Sequence, residues 1–206
     1  MDSNTDLLLI FTRNPELGKC KTRLATKVGD RAALNIYKFL LEHTVRITQQ
    51  LAMDKSVYYS EEVWKNDIWN NDLYQKKLQQ GTDLGQRMMN AFVDGFRHGY
   101  QKIVIIGSDM YNLTKEDIEE AFFKLAHHDV VLGPAEDGGY YLLGMKKLNA
   151  VIFQNKDWGT STVLKATLND LNNENYLLLP LRNDVDHYED IQHIEAFQPF
   201  LKHLRK

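Results

Sequence analysis

The sequence predicts a three-layer α/β/α sandwich, and three observations carry that expectation. Short apolar runs such as Leu7-Leu8-Leu9-Ile10-Phe11 and Ile103-Val104-Ile105-Ile106 alternate with longer stretches whose apolar residues recur every three or four positions. The first run is apolar throughout, as suits a central parallel strand covered on both faces. Several runs end in polar, glycine-bearing loops, and open α/β sheets bind their ligands at such strand ends.

The elements follow in order. A loop spans residues 13–24 after the first strand. Asp30 is placed to cap a helix whose apolar positions are Leu34, Tyr37, Leu41, Val45 and Leu51. Ser56-Val57-Tyr58-Tyr59 reads as the second strand. Residues 61–80 are polar, with Trp64, Trp69 and Tyr74 interspersed, and predict a short helix or two within irregular chain. Leu84, Met88, Phe92 and Phe96 mark another helix, and residues 103–106 the next strand. Thr114-Lys115-Glu116-Asp117 resembles a capping box opening a helix through Ile118, Ala121, Phe122 and Leu125. Strands are expected at 130–132, 140–145 and 176–179, with a helix at 161–171. Ile191, Ile194, Phe197, Leu201 and Leu204 outline a last helix kinked at Pro199. No Pro/Gly-rich linker or repeat interrupts the chain, so one domain over residues 1–206 is expected.

Composition narrows the class. With 206 residues, 43% hydrophobic and 26% charged, the chain suits a globular protein with a full core. A net charge of −3 offers no general nucleic-acid surface, so no nucleic-acid partner is expected. The single cysteine, Cys20, cannot form an intrachain disulfide. Residues 1–6 lack the basic start of a signal peptide, and no apolar stretch reaches membrane length. The expectation is a cytoplasmic protein without a membrane span.

Five segments carry chemistry. Lys19-Cys20-Lys21-Thr22-Arg23 places cations in the loop after the first strand, where α/β folds commonly hold phosphate. Arg13, Lys19, Lys21 and Arg23 are the candidate phosphate ligands; a solvated surface loop is the competing reading. The loop is neither a P-loop nor a dinucleotide fingerprint. Gly107-Ser108-Asp109 sets a carboxylate just past a strand, placed either for a hard cation or to cap the next turn. In residues 133–144, Glu136 and Asp137 are candidate catalytic carboxylates, and Gly138-Gly139 lets backbone amides approach a ligand. The plainer alternative is a tight hairpin. In Asn183-Asp184-Val185-Asp186, Asp184 and Asp186 share a face if extended, and one of them completes a metal site with Asp109, unless the segment only caps a helix. Around Gln80, Gly81 and Gly85, amide and backbone groups are placed to read a nucleobase edge, or the glycines simply enter a helix. Trp158-Gly159-Thr160-Ser161-Thr162 reads as a half-buried tryptophan beside the core, with an acceptor-pocket wall as the other reading. Cys20 has no partner base nearby and is not expected to be catalytic.

Together these segments resemble the small bacterial GT-A-type transferases of the nucleotide-diphospho-sugar transferase superfamily, also described as radical-SAM/selenodomain-associated transferase 1. The marks are Lys21-Thr22-Arg23-Leu24, Gly81 with Leu84-Gly85-Gln86-Arg87-Met88, Gly107-Ser108-Asp109, residues 133–144, Trp158-Gly159-Thr160-Ser161-Thr162 and Asp184-Val185-Asp186. The resemblance implies a mixed, mostly parallel sheet with the nucleotide in the N-terminal half. It also implies Asp109 as a metal-binding carboxylate and Asp186 as the distant second one, because Ser108-Asp109-Met110-Tyr111 supplies one Asp where a GT-A motif has an Asp-x-Asp. The expected function is metal-assisted transfer, with Mg²⁺ or Mn²⁺, from a nucleotide-activated donor to a small-molecule acceptor. Glycosyl transfer from a nucleotide-diphospho-sugar is the first reading. Nucleotidyl transfer to a small phosphorylated acceptor, and a nucleotide-binding module without catalysis, are the alternatives.

Overall fold

The structure, a computed structural model, describes residues 4–204; Met1, Asp2 and Ser3 of the polar leader, and Arg205 and Lys206, lie outside the described residues. Seven strands form one sheet: β1 (Asp6–Thr12), β2 (Asp54–Tyr59), β3 (Gln75–Leu78), β4 (Lys102–Gly107), β5 (Val130–Pro134), β6 (Tyr140–Met145) and β7 (Tyr176–Leu178). Their order across the sheet is β3-β2-β1-β4-β6-β5-β7. β1 lies between β2 and β4 and is parallel to both, as its unbroken apolar run predicts. β6 alone among the seven runs antiparallel to its neighbours, β4 and β5.

The period-2 alternation of β1 divides the core. Leu8 and Ile10 face one side, against Tyr37 and Leu41 of α2 (Asp30–Thr48) and Ile118 and Phe122 of α4 (Lys115–Lys124). Leu7 and Leu9 face the other, against Met88 and Phe92 of α3 (Leu84–Arg97) and Leu168 of α5 (Val163–Asp170). These are the three expected layers. The far face of α2 buries Ile36 and Leu40 against Leu24 of α1 (Thr22–Val28), Val185 and Phe197.

The strand directions position the site. β1 and β4 diverge in sequence from adjacent places in the sheet, which opens a crevice at their carboxyl ends. β5 and β7 are parallel, so their exits share an edge. Because β6 runs the other way, its first residues start at the edge where β4 and β5 finish. The loops after β1, β4, β5 and β7 therefore open on one rim of the sheet.

Three expectations need correction. Residues 61–80 hold no helix; they form turns and the edge strand β3. Trp69 anchors them, 2% exposed, edge-on to Tyr74 with ring centres 5.2 Å apart. Asp67 accepts from the Tyr59 hydroxyl at 2.5 Å and from the Lys76 ammonium at 2.7 Å. An edge strand as short and polar as Gln75-Lys76-Lys77-Leu78 carries almost no period-2 signal. Asp30 is the first residue of α2, not its cap: Gly29 holds that place and no side chain caps it, so Asp30 contributes only negative charge to the first turn. The final helix breaks into 3₁₀ turns around the short α6 (Gln198–Leu201). Pro199 sits in the first turn of α6, where its missing N–H is tolerated, and does not kink a longer helix. The Thr114–Asp117 capping box is present in full.

Replacing Trp69 with Ala removes the anchor of the β2–β3 segment. We expect stability to fall by about 3–5 kcal/mol in urea unfolding.

Candidate functional site

The β1 and β4 exits are tied together first by Tyr37. Its buried hydroxyl lies 3.2 Å from Thr12 Oγ1 and 3.2 Å from Ser108 Oγ, and it accepts the Arg13 amide at 2.8 Å. Asn14 fastens the β1 loop to the β2 loop: its Oδ1 accepts the Glu61 amide at 3.1 Å and its Nδ2 donates to the Glu62 carbonyl at 2.9 Å. The Cys20 thiol donates to the Asn14 carbonyl, and burial pushes its pKa up, so it is the inert group expected.

Lys21 then crosses the crevice. It precedes α1 in a left-handed backbone conformation, φ 49°. That geometry is uncommon for a residue with a side chain. Its ammonium donates to Asp109 Oδ2 at 2.7 Å and to Asp186 Oδ1 at 3.4 Å, and the side chain is 5% exposed. Arg23 Nη1 donates to Asp186 Oδ2 at 2.8 Å. Burial works against the charge on Lys21, but the Asp109 and Asp186 carboxylates outweigh it and hold the ammonium protonated well above its usual range. Burial likewise opposes ionisation of Asp109, and Lys21 more than compensates, keeping the carboxyl below its usual range. Three residues far apart in sequence thus meet at one point.

Around this junction lies a cavity of about 710 Å³, bordered by Arg13, Lys19, Lys21, Arg23 and Arg87 and by the carboxylates of Glu61, Asp83, Asp109, Asp137 and Asp186. Lys19 reaches the rim while paired with Glu16 at 2.8 Å. A smaller cavity of about 190 Å³ opens beside it, bordered by Asp184, Tyr140, Trp158 and Met88. Asp109 and Asp137 belong to both walls.

The Glu136–Asp137 pair is split. Glu136 borders a different concavity, with Arg46, Lys115 and Arg182. The Glu136 amide donates to the Arg182 carbonyl at 3.0 Å, and Glu136 and Asp137 are the central residues of a turn that the Gly138 amide closes on the Ala135 carbonyl at 3.1 Å, so the two side chains leave it towards different concavities. Gln80, Gly81, Gly85 and Gly138 border neither of the two joined cavities. Gly85 is required for packing: a Cβ there would lie 2.5 Å from the Phe153 carbonyl oxygen and from Trp158 Nε1. Gly138, at φ 87°, lets the backbone pass against Ser161, where a Cβ would meet the carbonyl oxygen at 2.3 Å. Gly139 borders the smaller cavity, and its amide donates to Asp137 Oδ1 at 2.8 Å, fixing that carboxylate.

Sequence reasoning missed several wall residues. Tyr37 reads as one more apolar position of α2. Arg87 was passed over in favour of the neighbouring glycines; its Nε donates to the Gly81 carbonyl at 3.2 Å and its Nη1 to Gln79 Oε1 at 3.4 Å. Asp184, not Asp186, borders the smaller cavity. Burial, with the charges of Asp109 and Asp137, raises the Asp184 pKa to about 6.

The junction suits a hard divalent cation in its donor chemistry, carboxylate oxygens, and in already seating a cation, the Lys21 ammonium. Among the described residues no group of three or more His, Cys, Asp or Glu side chains forms a metal site, so further ligands would come from substrate and water.

Asp184 yields a stability prediction. Folding raises its pKa from 3.8 to about 6, so the folded state binds the proton more tightly than the unfolded chain. Stability then falls as pH rises from about 4 to 6. Asp184→Asn should raise Tm at pH 7.5 in EDTA, and the gain should disappear by about pH 4 in thermal melts.

Comparison with known proteins agrees with the architecture. A candidate nucleotide-diphospho-sugar transferase from Desulfovibrio desulfuricans G20 superposes with a TM-score of 0.83 at 29% identity, over 97% of this chain and 95% of its own. Rv0371c from Mycobacterium tuberculosis H37Rv, solved with manganese, gives 0.58 at 10% identity over 93% of this chain and 98% of its own. A cytidylyltransferase from Leptospira borgpetersenii serovar Hardjo-bovis gives 0.57 at 13% identity over 98% and 94%. At such identities the last two establish the fold alone. No curated protein matches the chain. No helix among the described residues is long and apolar enough to cross a membrane. The model of a family described as an uncharacterized protein conserved in bacteria (DUF2064) matches residues 41–160, more than half of the sequence, and the chain belongs to that family.

Proposed function

We propose that this protein, acting as one catalytic domain, is a transferase that takes a nucleotide-diphospho-sugar donor and moves its glycosyl group to a small-molecule hydroxyl. The observation that carries the reading is the cavity at the β1/β4 crevice, which brings five cationic residues together with the Lys21–Asp109–Asp186 junction. Nucleotide-dependent α/β proteins hold phosphates at such strand exits. The fold likeness to a candidate nucleotide-diphospho-sugar transferase supports the same donor class.

In this reading Arg13, Lys19, Lys21, Arg23 and Arg87 neutralise the donor diphosphate. Asp137 stands in the wall common to both cavities, its carboxylate oriented by the Gly139 amide. It takes the proton from the acceptor hydroxyl as that oxygen bonds to the anomeric carbon. The bond from that carbon to the diphosphate oxygen breaks, and nucleoside diphosphate leaves with the electron pair. Asp109 and Asp186 would hold Mg²⁺ or Mn²⁺ in place of the Lys21 ammonium. When bound, the ion would offset the charge growing on the leaving diphosphate. Glu136, on another face, takes no part.

The test is a screen of NTPs and sugar nucleotides with Mn²⁺. Release of nucleoside diphosphate is the expected outcome, while release of pyrophosphate would replace the reading with nucleotidyl transfer. Lys21→Ala and Asp109→Asn should each lower kcat/KM by about 10²–10³-fold. EDTA should abolish turnover and added Mn²⁺ restore it. Metal-independent nucleotide binding that neither Asp109→Asn nor Asp186→Asn alters would instead indicate a non-catalytic module.

A further inference from the structure

We infer that the smaller cavity binds an uncharged, polyhydroxylated ring, a sugar or cyclitol, and rejects the phosphorylated form of the same ring. The inference rests on the transferase reading for its context and on the smaller cavity for its chemistry.

The two joined cavities differ in charge. The larger one has a balanced wall, with five cationic residues, Arg13, Lys19, Lys21, Arg23 and Arg87, against five carboxylates, Glu61, Asp83, Asp109, Asp137 and Asp186. The smaller one, of about 190 Å³, has no Lys or Arg in its wall but has Asp109, Asp137 and Asp184. Lys21 balances Asp109. No described cation forms an ion pair with Asp137 or Asp184. Lys21 offsets part of the Asp184 charge from outside that wall, but an anionic ligand entering the cavity meets carboxylates and no cation lining it. A ring bearing hydroxyls instead supplies donors to both carboxylates.

The opposite wall is aromatic. Trp158 and Tyr140 meet edge-on, ring centres 6.4 Å apart and planes at 86°. Gly85 leaves just the room the indole needs on α3, so the platform is held in place. The apolar C–H face of a sugar or cyclitol ring lies well against such a surface. A second, independent sign of a ligand is the Tyr140 hydroxyl: it is buried and has no hydrogen-bond partner among the described residues. Buried hydroxyls are normally satisfied; Tyr140 borders this cavity, and a shift of its side chain towards a bound ring would give the hydroxyl a ring hydroxyl as its partner. The cavity volume suits one ring with its substituents.

The experiment titrates the full chain with methyl glycosides and myo-inositol, and in parallel with the corresponding sugar phosphates, following tryptophan emission. Uncharged rings should quench the Trp158 contribution and bind at least tenfold more tightly than their phosphates. Trp158→Phe should remove the signal. Tyr140→Phe, which deletes only the hydroxyl, should weaken ring binding severalfold without changing Tm. Asp184→Asn should narrow the preference against phosphates. Repeating the titration with saturating nucleoside diphosphate, and with an intact sugar nucleotide, separates the sources. Displacement of free sugar by the sugar nucleotide alone assigns the cavity to the donor's sugar, and simultaneous binding assigns it to the acceptor; both outcomes uphold the ring chemistry. Equal or tighter binding of the phosphates, or no quenching by any uncharged ring, overturns it. Calorimetry of nucleoside diphosphate with Mn²⁺ is run separately. Ring binding without nucleotide binding would defeat the proposed function and leave this inference standing, and the converse result would do the opposite.

Discussion

The Lys21 ammonium, seated between Asp109 and Asp186, is the contact on which the candidate site depends. It joins the exit of β1 to the exit of β4 and to the segment after β7. Burying an ammonium is costly unless carboxylates surround it, and here two do. The left-handed backbone at Lys21 directs that side chain inward while α1 begins immediately after it. Arg23, one helical step further, holds the second oxygen of Asp186. The C-terminal segment is therefore held to the N-terminal loop by charge at the crevice and by the apolar contacts of Val185 and Phe197 behind it.

The sheet explains why these groups can meet. Parallel β1 and β4 finish at the same rim. The reversed β6 begins there, which brings Asp137, Gly139 and Tyr140 to the same opening. Had β6 been parallel, its start would lie at the far rim and the two cavities would not share a wall. The Tyr37 hydroxyl and the Asn14 side chain then tie the loops to one another by hydrogen bonds.

Charge separates the two halves of the opening. Cations gather beside the β1 loop and α3, where Glu61 and Asp83 also stand, while Asp137 and Asp184, which make no ion pair among the described residues, border the smaller cavity. Asp109 and Asp137 form the boundary between them. Under the proposed function, such a division would sort a ligand end to end: its anionic part toward the arginines, its hydroxylated part toward Asp137 and Asp184. Neither half is read from net charge, since a total of −3 averages over both.

The sequence by itself determined the alternation of strands and helices, the central place of β1, the capping box at Thr114 and the loops that carry the cations and Asp109. Those features are local: they follow from the period of apolar residues, from cap chemistry and from position after a strand. Only the tertiary structure decided that Glu136 turns away from Asp137, that Asp184 borders the small cavity while Asp186 answers Lys21 and Arg23, and that Gly85 and Gly138 serve packing. Residues 61–80 and 188–204 resisted reading because their short elements are held by Trp69, Asp67 and Phe197 contacts made across the fold, not by any periodic pattern of their own. Which side chain faces which cavity depends on strand direction and register, and a one-residue difference reverses it.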